Sequence, residues 1–220
     1  MNSGQTPLQR HFGVPGDFVA MARRWCPDAI EIMLEYVWRG FDQMHEEQFN
    51  VSRDDENIED DITALVYIRI NTLMDGKAPY CLMHKPLENE KRKGPSPTPD
   101  LGFVWRANLR AVFPLEAKVL RTDGSVSAYI KEITDNFLTG RYASFSSEAA
   151  MMGYLLSGCP ERAFGSISDR LRCHLESHPS FLHRNHRCSD HLRRADERGN
   201  KHFRCHHMIV DFGCSGQRVN

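Results

Sequence analysis

Apolar residues recur at intervals of three and four through Ala29, Ile30, Met33, Leu34, Val37, Trp38 and Phe41, and predict an amphipathic helix from Pro27 to about Glu47. Trp38 and Phe41 lie on that face, where aromatic side chains fill a core. A second series, Ile58, Ile62, Leu65, Val66 and Leu73, predicts a helix ending near Asp75-Gly76, with Gly76 as its cap. Ala78 to His84 is a short apolar run suited to a strand. Pro99 to Lys118 reads as two strands joined by a tight connection. Thr122 to Ser125 reads as a turn with Ser125 as N-cap of a helix whose apolar face is Val126, Tyr129, Ile130, Ile133 and Phe137, closed by Thr139-Gly140-Arg141-Tyr142. The unbroken apolar run Ala149 to Leu156 suits a strand buried on both faces. Arg162 to about Leu175 reads as a further helix. In a last strand, Phe203 to Phe212, Cys205, His207, Ile209 and Asp211 oppose Arg204, His206, Met208 and Val210.

Between these elements, residues 1 to 15, 50 to 57 and 85 to 99 are polar or rich in Gly and Pro, and read as an arm and loops. At 220 residues, 40% hydrophobic and 26% charged, the chain is expected to be one globular domain with a sizeable core. Residues 1–57 would form an N-terminal arm and helix packed on a core of residues 58–220. No apolar run approaches a membrane span, and the opening Met-Asn-Ser-Gly-Gln-Thr-Pro lacks the regions of a signal peptide, so a cytoplasmic location and reduced thiols are the expectation for the seven cysteines.

A net charge of −1 offers no global attraction for nucleic acid, but the charge is uneven. Residues 1 to 150 hold 17 Lys and Arg against 22 Asp and Glu, whereas 151 to 220 hold 11 against 7, with eight of the eleven histidines. The basic end, including a basic loop with Ser189, His191, Arg193 and Arg194, suits a phosphate-facing surface or a merely solvated one. The same choice applies to Lys91, Arg92 and Lys93.

The chemistry concentrates in the paired strands. Glu116 and Lys118 are two apart and share one side, while Leu115, Ala117 and Val119 turn to apolar packing. Charges on a buried strand need compensation, and a hard divalent cation held by Asp100 and Glu116 supplies it. Such an ion activates water and stabilises charge on a phosphate, with Lys118 orienting the water or neutralising the phosphate.

Pro99-Asp100 followed by Glu116-Ala117-Lys118 resembles the PD-(D/E)XK nuclease superfamily. That resemblance implies an α/β restriction-endonuclease-like fold, an αβββαβ core with a central mixed sheet flanked by helices, here with an additional N-terminal helix. It implies hydrolysis of phosphodiester bonds, usually of DNA with RNA as the other candidate, by the matched Asp100, Glu116 and Lys118. The cofactor would be Mg2+, with Mn2+ as a substitute, held by Asp100, Glu116 and the Ala117 carbonyl. Members of this superfamily also use a Glu from the first core helix, and Glu59 is the matching residue. Acids at Glu59, Asp60 and Asp61 equally suit a helix N-terminus. Lys131 and Arg141, with Arg193, are the candidate nucleic-acid contacts, Lys131 being equally a surface lysine. The resemblance is further consistent with an effector of bacterial antiviral defence, partner protein subunits or a homo-oligomer. The alternative is a non-catalytic nucleic-acid- or protein-binding member of the same fold.

The histidine-rich end raises zinc, which favours His and Cys ligands. No CxxC occurs there, and Cys188-x2-His191 with Cys205 is the nearest approach to a ligand set. His206 and His207 read equally as core histidines satisfied in the sheet.

Overall fold

The computed structural model describes residues 16–47, 56–74, 76–86, 98–193 and 202–213. Both helices read from the three-and-four spacing form where expected, as α2 (Ala29–Glu46) and α3 (Ile58–Leu73), after a short α1 (Phe18–Trp25). In α2 the expected residues Ala29 to Phe41 are buried together with Met44. Gly40 lets α2 approach α3: a Cβ there would stand 3.2 and 3.3 Å from Ile70 and Val66 side-chain carbons, tighter than ordinary contact.

The strands are β1 (Tyr80–His84), β2 (Leu101–Trp105), β3 (Asn108–Leu120), β4 (Glu148–Leu155), β5 (Glu176–Ser177), β6 (His186–Leu192) and β7 (His202–Asp211). They make one seven-stranded sheet in the order β1-β2-β3-β4-β7-β6-β5. β1, β2 and β3 are an antiparallel meander, β3, β4 and β7 run parallel, and β6 and β5 return antiparallel. Two helices complete the α/β architecture: α4 (Ser127–Glu132), continued by a π-helical turn Ile133–Phe137, and α5 (Pro160–Leu171).

The parallel centre explains the unbroken apolar sequence of β4, every residue of which is buried. Ala150, Met152 and Tyr154 join α1, α2 and α3 in one apolar cluster, while Ala149, Met151 and Leu155 join α4 and α5 in the other. β7 divides likewise, Met208 and Val210 to the first cluster and Cys205 and Ile209 to the second, as its alternation predicts. Helices therefore cover both faces.

Four local expectations are corrected. Ser125 does not cap α4; its hydroxyl bonds Thr122 Oγ1 at 2.8 Å, and Val126 occupies the cap position. Gly76 lies beyond the α3 cap, which is Met74, although its φ of +73° is of the left-handed kind. α5 stops at Leu171 and not Leu175, because Arg172 turns left-handed at φ +52° and the Ser168 hydroxyl donates to the Cys173 carbonyl. Ser189 and His191 lie on β6 and not in a loop. The expected loops at 1–15, 50–55 and 87–97, with Lys91, Arg92, Lys93 and Arg194, fall outside the described residues.

Candidate active site

The β2–β3 register pairs Leu101 with Leu115, which sets Asp100 across from Glu116. Two crossed hydrogen bonds lock the juxtaposition. The Asp100 amide donates to Glu116 Oε2 at 3.2 Å, and the Ala117 amide donates to Asp100 Oδ2 at 2.9 Å. A strand that must keep its apolar side on α3 thus presents both carboxyl groups at one place.

Lys118 completes the group. Its Nζ donates to Glu116 Oε1 at 3.0 Å, Glu59 Oε1 at 2.9 Å and the Ala117 carbonyl at 2.5 Å. Glu59 arrives from the first turn of α3 and is fixed there by the Val119 amide, which donates to its Oε2 at 2.9 Å. Side-chain exposure rises from 5% at Glu116 through 16% at Lys118 to 33% at Glu59, so the site opens towards solvent on the α3 side. Asp60 and Asp61 are exposed and remain with the helix terminus.

One ammonium serves more than one carboxylate, and the electrostatics follow. Burial, then the adjacent Asp100 charge, pushes Glu116 up to about 8 despite Lys118. Asp100 is raised as well, by burial, with the Ala117 amide and Lys118 opposing. Burial alone would lower Lys118, but Glu116, Glu59 and Asp100 together hold it above the ordinary lysine range. Tyr142 borders the same carboxyl groups, its phenol raised by burial and then by Glu116 and Glu132. Glu132 accepts a hydrogen bond from Asn136 Nδ2 on the π turn, an element that sequence periodicity did not reveal.

The remaining candidates stand elsewhere. Lys131 and Arg141 are exposed on and after α4. Arg193 is buried: its Nη1 donates to the Ala143 and Ser146 carbonyls at 2.8 and 3.0 Å, and its guanidinium lies 3.8 Å over the Phe203 ring. That placement corrects its expected role as a phosphate contact, because the group is already spent on the interior. His207 sits in the core between Tyr129 Oη at 3.1 Å and Ser189 Oγ at 2.7 Å. His191 turns to Ser189 and Cys205 to the second apolar cluster, so the ligand set suggested by Cys188, His191 and Cys205 does not assemble. No helix among the described residues is long and apolar enough to cross a membrane.

The geometry is therefore four side chains from three elements, α3, the start of β2 and β3, gathered into an acidic cluster around one lysine. Comparison with protein-family models, curated proteins and solved structures finds no match for the chain.

Proposed function

We propose that this protein is a metal-dependent nuclease of restriction-endonuclease-like architecture that hydrolyses phosphodiester bonds of DNA. The observation that carries the proposal is the convergence on Lys118 Nζ of oxygens from Glu59, Glu116 and Ala117, beside Asp100. The order α3-β1-β2-β3-α4-β4, an antiparallel meander followed by a parallel strand, agrees with the architecture expected from the resemblance.

The donor set fits a hard divalent cation. All its members are oxygens, and the two deepest are carboxyl groups held above their ordinary range by burial, which Lys118 only partly offsets. Asp100, Glu116 and the Ala117 carbonyl would hold Mg2+ or Mn2+, with Glu59 at the open side. When bound, such an ion supplies a water of lowered pKa and positive charge next to the scissile phosphate. Glu116 would give up its proton to solvent in order to hold such an ion as a carboxylate. Asp100 keeps its alignment through the Ala117 amide. Lys118, held by Glu59 and Glu116, orients the attacking water or neutralises charge developing on the phosphate.

The test is cleavage of plasmid, single-stranded DNA and RNA by chelator-treated protein, with and without Mg2+. Cleavage of DNA only with the ion, and its loss in Asp100→Asn and Lys118→Ala, is expected. Asparagine retains an oxygen for the Ala117 amide, so the first variant removes charge and not the strand contact. Salt-sensitive DNA binding without cleavage would instead indicate the non-catalytic alternative. Cleavage surviving both substitutions would refute the assignment.

A further inference from the structure

Two and three strands from Glu116, roughly 10 and 14 Å away by strand spacing alone, β7 and β6 bring a different set of donors together. Cys188 and His206 are cross-strand partners, with Cys188 Sγ 3.4 Å from His206 Nδ1. His178 follows β5 at the start of the 3-10 turn Pro179–Phe181, where its Nδ1 accepts from the Ser180 amide at 3.2 Å and leaves Nε2 for another partner. One ligand atom from each of His178, Cys188 and His206 lies within 4.8 Å of the others.

The surroundings are arranged as a metal centre requires. His206 Nε2 lies 3.0 Å from Glu148 Oε2, and the other Glu148 oxygen is 2.9 Å from Arg23. A carboxylate on one ring nitrogen fixes the tautomer and turns the lone pair of the other outward, the support that metal-ligating histidines receive. Here the other nitrogen, Nδ1, faces Cys188 and also lies 3.1 Å from His186 Nε2, so zinc at Nδ1 would take the place of the hydrogen bond from His186. Zinc bonds of about 2.0–2.3 Å in tetrahedral geometry place neighbouring N and S atoms about 3.6 Å apart. The 3.4 Å between Cys188 and His206 already meets that separation.

His186 is excluded from the ligand set by its own hydrogen bonds. Trp38 Nε1 donates to His186 Nδ1 at 3.2 Å, so the neutral ring carries its proton on Nε2, 3.1 Å from His206 Nδ1. The bland alternative is a chain of core imidazoles ending on Glu148. That chain accounts for His186 and His206, but it does not use the remaining nitrogen of His178.

We propose that His178, Cys188 and His206 bind one zinc ion, with Glu148 as the positioning residue for His206 and the fourth position left to water. The site would tie the turn after β5 to β6 and β7, and it shares no residue with the acidic cluster. Sequence spacing gave no sign of it, because its ligands come from the turn after β5, from β6 and from β7, and meet only in the fold.

The experiment uses the full chain, stripped with chelator and titrated with Co2+ and then Zn2+. One equivalent of Co2+ should produce tetrahedral d–d bands and a thiolate-to-cobalt charge-transfer band, all displaced by Zn2+. Cys188→Ser should lose the charge-transfer band. His178→Asn, a second variant at the edge of the cluster, should weaken binding at least tenfold, with circular dichroism confirming the fold of each. Asp100→Asn should leave the bands unchanged, which separates this site from the acidic one. Absence of stoichiometric binding by the wild-type chain, or a charge-transfer band that persists in folded Cys188→Ser, would overturn the proposal.

Discussion

Replacing Glu116 with glutamine should stabilise the protein in alkali while abolishing the proposed metal site. Glu116 is 3% exposed, and its carboxyl moves from an ordinary value of 4.5 to about 8, by burial first and the Asp100 charge second. Between those values the folded chain holds a proton that the unfolded chain has released, so this group's contribution to stability falls as pH rises from about 4.5 through about 8 and then levels off. At 1.36 kcal/mol for each pH unit, the raised value of Glu116 lowers stability by up to about 5 kcal/mol at high pH, and by about 1 kcal/mol at pH 5. Glutamine, neutral throughout, avoids this cost and can still accept from the Asp100 amide. Urea unfolding followed by circular dichroism should show wild type and Glu116→Gln within about 1 kcal/mol at pH 5, and the variant more stable by about 3–5 kcal/mol at pH 9. Millimolar Mg2+ should raise the wild-type midpoint at pH 9 and leave the variant's unmoved. A stability difference that does not change with pH would refute this electrostatic reasoning.

Three other substitutions probe separate parts of the structure. Lys118→Met leaves Glu116, Glu59 and Asp100 without their ammonium, and should cost about 3–5 kcal/mol near pH 9 and less at pH 5, where Glu116 keeps its proton; scanning fluorimetry should also show a larger Mg2+ stabilisation than in wild type. Gly153→Ala would put a Cβ 2.7 Å from Ile209 Cδ1 and 3.0 Å from Leu120 Cδ1 in the middle of β4, and should cost about 1–3 kcal/mol by urea unfolding. Arg193→Ala removes the donor to the Ala143 and Ser146 carbonyls, and should lower stability by about 2–4 kcal/mol. The salt dependence of its DNA affinity should match wild type, whereas a slope reduced by about one would restore Arg193 as a phosphate contact.

The parts of the fold legible in the sequence are those where one local period decides the outcome. Ile30 to Phe41 and Ile58 to Val66 mark helix faces, the run from Ala149 to Leu155 marks a doubly covered strand, and the alternation around Glu116 and Lys118 sets both on one side. The facing of Asp100 and Glu116 follows from that hairpin. Glu59 is ambiguous in the sequence, since helix-terminal acids need no other reason, and only the bonds to Val119 and Lys118 show that it sits beside Glu116 and Lys118.

Elsewhere the decisive contacts are distant. α1 has only eight residues and two arginines, but Asp17 ties its start to Ser147 beside β4 through bonds of 2.7 and 2.9 Å. β6, His-Arg-Cys-Ser-Asp-His-Leu, has no apolar alternation, because its polar groups are matched across the sheet: His186 with His206, Ser189 with His207 and Asp190 with Arg204. The basic composition of the C-terminal third suggested phosphate contacts, but a count of charges does not show that Arg193 points inward.

The measurement that bears most directly on the acidic cluster is the electron paramagnetic resonance of Mn2+ titrated into chelator-treated protein, since the signal of the free ion is lost on binding. One equivalent of Zn2+ is added first, to occupy the proposed His178–Cys188–His206 set without competing for the acidic site. The expected result is one Mn2+ taken up by the wild-type chain, displaced by Mg2+, and no uptake by Asp100→Asn or Glu116→Gln. Equal uptake by all three proteins would contradict a metal held between Asp100 and Glu116.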